Sequence, residues 1–424
     1  MDEETKYLIT KILAEEIKDS RGNPTLKVNV FVGDVSDSFS VPSGASTGIH
    51  EAHELRDSDG KGVNNAIEKV NNIISPALVG QDILNQHEID RIMIELDGTS
   101  NKDNLGGNSM IGVSIACVKT AAKVLEIETY EHLRTLMEIK PSLRPTSSGQ
   151  ARKIPFLYMN LINGGKHVSS IGESLSFQEY LVVPDMENVA DAVMVGNQIQ
   201  NSLKEIIGRE LGEDSLVLGD EGGYAPKINN VRKPLLYLTE AIKENKLEGK
   251  VRLALDVASS SFFDNGNYKV DGENISKDEL MNIYASLIAE FNLLSIEDPF
   301  DEESFLDFEI FKNNNKSVLV VGDDLTVSNS VLLEKAIEND SINAMIIKPN
   351  QIGTLTETLE TMKKARENDI ELIVSHRSGE TNDNFIADLA FAFNCFGMKA
   401  GSPIKHERMV KYERLQKITL DRVG

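Results

Sequence analysis

The chain has 424 residues, 40% of them apolar, and a formal net charge of −23. That is ample for a large core, and too long for one average domain unless a barrel is among its parts. The acidic excess speaks against nucleic acid or an anionic membrane as the main partner, and an anionic ligand would have to be met by cations gathered locally. No apolar run approaches the ~20 residues needed to span a bilayer. The opening MDEETKYLIT lacks the basic-then-apolar pattern of a leader, and Cys117 and Cys395 stand far apart in apolar surroundings, as buried thiols do. We therefore expect a soluble, cytoplasmic protein.

In chain order, YLITKILAEEIK and TLKVNVFV alternate like strands around the turn signal Gly22-Asn23-Pro24. Three helical patterns follow, Val63–Leu78, His87–Leu96 and Ser109–Leu125, the last with Asn108 as its expected N-cap. The stretch IKPSLRPTSSGQARK, rich in Pro, Ser and basic residues, reads as a linker. The expected division is an α+β N-terminal domain over 1–138, a linker over 139–153 and a second domain over 154–424.

Beyond the linker, short apolar runs alternate with amphipathic helices: FLYMNLI, FQEYLVVP, VRLALD, NLLSIED, VLVVGDD, NAMIIK, ELIVSHR and CFGMK. The first two adjoin without room for a helix, two helical stretches (about 187–211 and 231–246) precede the third, and strand then alternates with helix to the end. This predicts an α/β fold with a closed, mostly parallel eight-stranded (β/α)8-type barrel in the order ββαα(βα)6; an open doubly wound sheet is the alternative.

Six consecutive runs end in charge: Asp256, Glu297, Asp323, Lys348, His376 with Arg377, and Lys399. Their intervals of 41, 26, 25, 28 and 23 residues each correspond to about one strand-plus-helix unit, which in a barrel puts all of them at one mouth. A single charge after a strand is more often just a solvated strand end; six in succession point to a site. Three carboxylates without histidine or cysteine suit Mg²⁺ rather than zinc. Lys348, His376, Arg377 and Lys399 suit a cradle for an anion, and a lysine flanked by cations and near metal would have its pKa lowered toward that of a general base. Asp220 and Glu221 sit between glycines in VLGDEGGYAP, His167 follows two glycines in NGGKH, and PSGASTG is a small-residue loop without the lysine of a nucleotide-binding P-loop.

Taken together and in order, DSRGNPT, VPSGASTG, ELDGT, NGGKH, GDEGG, SIEDPF, GDDL, NQIGTLTET, SHRSGET and FIADLA closely resemble the enolase family, from about Ile9 to Tyr412. The resemblance implies reversible Mg-dependent dehydration of 2-phospho-D-glycerate to phosphoenolpyruvate, in glycolysis and gluconeogenesis. By motif it implies Asp256, Glu297 and Asp323 as ligands of a first Mg²⁺, and Ser46 as a ligand of a second that arrives with substrate. It implies Lys348 as base, Glu221 as acid, and Arg377 and Ser378 on the phosphate. His376 and Lys399 would steady the substrate, and Gln178, Glu179, His167, Ser375, Gly44 and Ala45 would complete the site. It also implies a homodimer or larger homo-oligomer. The chain departs from the family in the eleven residues between His167 and Glu179, where eight are usual, in Ser261 where a glutamate is favoured, and in Lys405-His406-Glu407-Arg408. A catalytically impaired relative acting as a binding protein, and a related barrel lyase or racemase acting on another carboxylate, are the alternatives.

Overall fold

A computed structural model describes residues 6–44, 48–137, 144–145, 151–152, 154–168 and 175–420. Strands β1 (Lys11–Lys18), β2 (Pro24–Val32) and β3 (Val35–Ser40) form an antiparallel meander. The β1–β2 turn is fixed by Asp19, whose Oδ1 accepts the backbone N–H of Arg21 and of Asn23 at 2.9 and 2.8 Å. Along β2, Leu26, Val28, Val30 and Val32 are buried at a period of two. The three expected helices are present. The first runs from Asn64 to Leu78 with a wider π turn at Val70–Ile74, just ahead of Pro76, which has no N–H to donate. The other two are α1 (Gln86–Asp97) and α2 (Gly107–Val124).

Asn108 is not the cap of α2. Gly106, at φ +87°, holds that position, and Asn108 lies inside the first turn. Its amide exchanges two 3.0 Å hydrogen bonds with the backbone of Leu55 instead, a long-range partner that local sequence does not show. Most of the expected linker, 139–153, lies outside the described residues; within it, the backbone of Arg144–Pro145 pairs with that of Ala151–Arg152.

All eight runs form strands, and they close a barrel: β4 (Phe156–Asn163), β5 (Glu179–Pro184), β6 (Val251–Asp256), β7 (Ser295–Glu297), β8 (Leu319–Gly322), β9 (Ala344–Ile347), β10 (Glu371–Ser375) and β11 (Gly397–Lys399), with β11 returning to β4. Having no crossover helix before it, β5 runs antiparallel to both β4 and β6, whereas the other neighbours are parallel. Helices α4 (Val189–Leu211) and α5 (Lys233–Glu244) separate β5 from β6, after α3 (Thr129–Leu136) of the first region. Each strand from β6 on then leads to a helix: α6 (Lys277–Phe291), α7 (Phe305–Asn314), α8 (Ser330–Glu338), α9 (Leu355–Glu367), α10 (Phe385–Ala392) and α11 (His406–Leu420).

A compact set including Leu181, Val183, Ala254, Val321, Ile346 and Ile373 forms its own buried cluster, drawn from six of the eight strands. The opposite strand faces join the large core beneath the helices. Buried on both sides, these strands read as unbroken apolar runs.

The meander is joined to the rim of the barrel. Ser43 and Gly379 exchange backbone hydrogen bonds at 2.8 and 2.9 Å, and Ser20 N–H donates to Glu380 O at 2.7 Å. A second clasp is Asp90 of α1, whose Oδ2 accepts from the backbone N–H and hydroxyl of Thr356, in the first turn of α9, at 2.9 and 2.6 Å.

Candidate active site

The six strand-end charges share one rim, and all except the half-buried Lys348 are buried. A pocket there is lined by His167, Gln178, Glu179, Glu221, Asp256, Asp298, Asp323, Asp324, Lys348, Ser375, His376, Arg377, Ser378 and Lys399, among others. Glu297 completes this wall through Lys399.

The three strand-end carboxylates do not meet at one point, because two lysines divide them. Lys399 Nζ lies 2.7 Å from Asp256 Oδ2, 3.0 Å from both Glu297 oxygens and 3.3 Å from Glu179 Oε2. Asp323 is bound by Lys348 Nζ and, at 3.2 Å, by Gln351 Nε2. Among the described residues, the clusters of three histidine or carboxylate side chains with ligand atoms within 4.8 Å of one another are His167–Glu179–Glu221 and Asp298–Asp323–Asp324.

Asp298 was missed at the sequence level although it directly follows Glu297. Its backbone is left-handed at φ +43°, a conformation that costs a non-glycine residue energy and persists only where its surroundings enforce it. Here its carboxylate accepts the N–H groups of Asp323 and Asp324 at 2.9 and 2.7 Å, tying the ends of β7 and β8 together.

The donor set suits a hard divalent cation. It is all oxygen, and Glu297 is pushed well above its usual range by burial and by Asp256 beside it. Asp324 is likewise raised to about 7 by burial and by Asp323. An ammonium ringed by carboxylates of three strands shows the kind of charge this wall accepts.

Lys348 meets a carboxylate as well as cations. Burial is the largest single influence and works to depress its ammonium, but the surrounding carboxylates, Asp323 first and Glu297 with it, together carry the net direction upward. The lowered pKa expected from neighbouring cations is absent as long as Asp323 is its partner.

Arg377 is clasped by Glu51, with Nη1 3.0 Å from Oε2 and Nη2 3.2 and 3.0 Å from Oε1 and Oε2, and also by Asn350 Oδ1 at 3.1 Å. Glu51 was not picked out from sequence; an acid in a polar loop gives no local sign of a partner 326 positions away. Gly44 O accepts from Arg21 at 3.3 Å, while Ala45 and Ser46 lie outside the described residues. The Ser375 hydroxyl donates to His376 O at 3.0 Å, and Gln178 Nε2 donates to Asp256 Oδ2 at 3.4 Å.

Across the pocket, Glu179 and Glu221 share the His167 imidazole, whose Nδ1 is 3.7 Å from an oxygen of each. Asn160 Nδ2 donates to Glu221 at 3.0 Å. Glu221 comes from the GDEGG loop, which lies against β4 so closely that a Cβ on Gly223 would meet the Asn163 amide oxygen at 2.4 Å and the Leu161 backbone at 2.8 Å. Burial, then the Glu221 charge, drives Glu179 well upward. For Glu221 the upward push of burial is overcome by the imidazoles of His376 and His167, and its pKa is held well below the usual range. The two carboxyls are thus driven in opposite directions, Glu179 toward holding a proton and Glu221 toward losing one. The part of the His167–Glu179 segment at 169–174 lies outside the described residues.

Two family models match: "Enolase, N-terminal domain" over residues 9–133 and "Enolase, C-terminal TIM barrel domain" over 151–423. Curated relatives, each named enolase, align along nearly the whole chain. The protein of Methanocaldococcus jannaschii is 42% identical over 99% of this chain and 96% of its own length. That of Methanopyrus kandleri is 44% identical over 98% and 96%, and that of Sulfurisphaera tokodaii 40% identical over 98% and 96%. With both models matched in order and this identity sustained end to end, the chain belongs to the enolase family of carbon–oxygen lyases.

Proposed function

We propose that this pocket carries out the reversible dehydration of 2-phospho-D-glycerate to phosphoenolpyruvate. The observation that carries the reading is the placement of base and acid across the barrel. Lys348 follows β9 and Glu179 opens β5, four places apart in a ring of eight strands, with Glu221 beside Glu179. A base and an acid on opposite walls suit removal of a proton from one face of the substrate and departure of hydroxide from the other.

In this reading Asp256, Glu297 and Asp323 hold one Mg²⁺, and Ser46 belongs to a second that arrives with substrate. When bound, the ions act as Lewis acids on the substrate carboxylate and stabilise the charge that develops as its α-proton leaves. Lys348 takes that proton, and must first be released from Asp323. Glu221 gives a proton to the departing 3-hydroxyl, so that water leaves, and Glu179, which is driven to hold a proton, supplies it to Glu221. Arg377 and Ser378 hold the phosphate once Glu51 yields the guanidinium. Lys399 and His376 steady the carboxylate and the leaving group, and Gln178, His167, Ser375, Gly44 and Ala45 complete the walls. Family membership further supports an N-terminal domain over 1–138, a linker over 139–153, a catalytic barrel over 154–424, at least a homodimer, and a cytoplasmic location.

The test follows phosphoenolpyruvate by its ultraviolet absorbance, with 2-phosphoglycerate and Mg²⁺, beside Lys348→Ala. Turnover that is lost with a chelator, and lowered at least ~10²-fold in the variant, is expected for a general base. A folded, Mg²⁺-saturated protein with no turnover would overturn the proposal.

A further inference from the structure

Arg408, at the start of α11, is fully buried, yet no step above uses it. Its guanidinium reaches both halves of the site. Nη1 donates to His376 Nδ1 at 2.7 Å and to Arg377 O at 2.6 Å. Nη2 donates to Ser378 O at 2.7 Å and to Asp220 O at 3.3 Å. All four Nη protons are thereby assigned, two to the carbonyls that follow His376 and one to the carbonyl that precedes Glu221. The nearest carboxylate in ion-pair range is Glu407, 4.0 Å from Nε, a distance too long for a hydrogen bond. Strength of charge pairing does not account for the position; fork geometry does.

The contact to His376 has a chemical consequence. A guanidinium can only donate, so Nδ1 must be the acceptor, and the proton of the neutral ring must sit on Nε2. Nε2 is the nitrogen that faces Glu221 Oε1, at 3.4 Å, and is the edge turned to the pocket. A ring with the other tautomer would turn a bare lone pair toward the Glu221 carboxylate. The charge of Arg408 also disfavours a proton on Nδ1, alongside burial, which is the larger cause holding His376 down at about 4.

We propose that Arg408 is a positioning residue that locks His376 as the neutral, Nε2-protonated tautomer and sets the Asp220-Glu221 and His376-Arg377-Ser378 segments in register. This rests on the dehydratase reading for its kinetic consequence, but not for its geometry. The test uses the full chain labelled with ¹⁵N-histidine, the His376 signals being identified by their loss in His376→Gln. In the unsubstituted protein at neutral pH, His376 should give one neutral species protonated on Nε2. Arg408→Lys keeps the charge and loses the fork. Leaving buried acceptors unsatisfied at this scale should lower kcat ~10- to 100-fold and replace the single tautomer by a mixture.

A His376 protonated on Nδ1 in the unsubstituted protein would overturn the proposal. So would an Arg408→Lys protein that keeps both kcat per folded molecule and the single tautomer while only its melting temperature falls, the signature of a purely structural role. If Arg408→Lys does not fold, the tautomer of the unsubstituted protein still decides. An unsubstituted protein that shows the expected tautomer but does not turn over 2-phosphoglycerate would count against the function and not against the geometry.

Discussion

Replacing Lys399 by methionine removes the one cation, among the described residues, within 3.3 Å of Asp256, Glu297 and Glu179, while preserving most of the side chain's volume. Breaking a buried ion pair from one side costs about 3–5 kcal/mol, because the partners stay buried without compensation. Three partners set the upper end, and the proton that Glu179 readily takes relieves part of the strain. At about 2.1 cal/mol/K of unfolding entropy per residue over 424 residues, 1 kcal/mol corresponds to about 1 °C if the chain melts as one unit. In chelator, the variant should therefore melt about 3–5 °C below the unsubstituted protein. Mg²⁺ should then narrow the gap, since an ion at 100 times its dissociation constant contributes about 2.7 kcal/mol and no ammonium competes for the same oxygens. The assay is calorimetric melting of both proteins with chelator and across a Mg²⁺ series. Equal melting temperatures in chelator would refute the view that Lys399 neutralises this wall, and a Mg²⁺ gain no larger in the variant would refute these carboxylates as its ligands.

Glu51→Gln should release Arg377: inorganic phosphate should bind about 10-fold tighter by titration calorimetry, while loss of a buried partner lowers the melting temperature. Unchanged phosphate affinity would count against Arg377 as the anion site. Asp90→Asn keeps one acceptor but loses charge at the N-terminus of α9, and should cost about 1–3 kcal/mol, seen as faster hydrogen exchange at the Thr356 amide. His376, depressed from the usual 6.5 to about 4, binds fewer protons folded than unfolded, so its contribution is present above pH 6.5 and is lost as pH falls toward 4. The loss is about 3 kcal/mol, and chemical denaturation at pH 7 and pH 4 should show a correspondingly shallower pH dependence in His376→Gln.

What could be read from the sequence was whatever depends on period and order. Strands such as Ile346–Ile347 or Leu372–Val374 are buried on both faces, and so appear as apolar runs whose last residue changes character where the strand reaches the mouth. That sufficed for the barrel, for the missing helix between β4 and β5, and for the residues at the rim. Pairing across the chain could not be read. Nothing near Asn108 announces Leu55, nothing near Glu51 announces Arg377, and Arg408 lies in a helical turn of ordinary polarity while its four acceptors come from two distant segments. The partner that holds the Lys348 ammonium was hidden for the same reason. Its cationic neighbours were visible in the spacing, whereas the reach of its ammonium to Asp323 was not.

The charge balance of the mouth leads to one more consequence. Glu51, Glu179, Glu221, Asp256, Glu297, Asp298, Asp323 and Asp324 are eight acids, set against the four cations Lys348, Arg377, Lys399 and Arg408. Ions and protons are the available ways to offset that surplus. Burial and like charge raise Glu179, Glu297 and Asp298 well upward and Asp324 to about 7, so Asp324 still takes up protons near neutrality and the others are pushed the same way. A divalent cation placed among them lowers the affinity of each for its proton, and if Asp323 turns to the ion, Lys348 loses the partner that holds its pKa up. Both effects have the same sign, so Mg²⁺ binding should release protons, about one per ion at pH 6–7, and progressively fewer as pH rises and the carboxyls empty on their own. Titration calorimetry in two buffers of different ionisation enthalpy measures that number directly. Mg²⁺ that binds at pH 6.5 with no proton released would mean that these carboxylates are already ionised, and that the lysines alone neutralise the site.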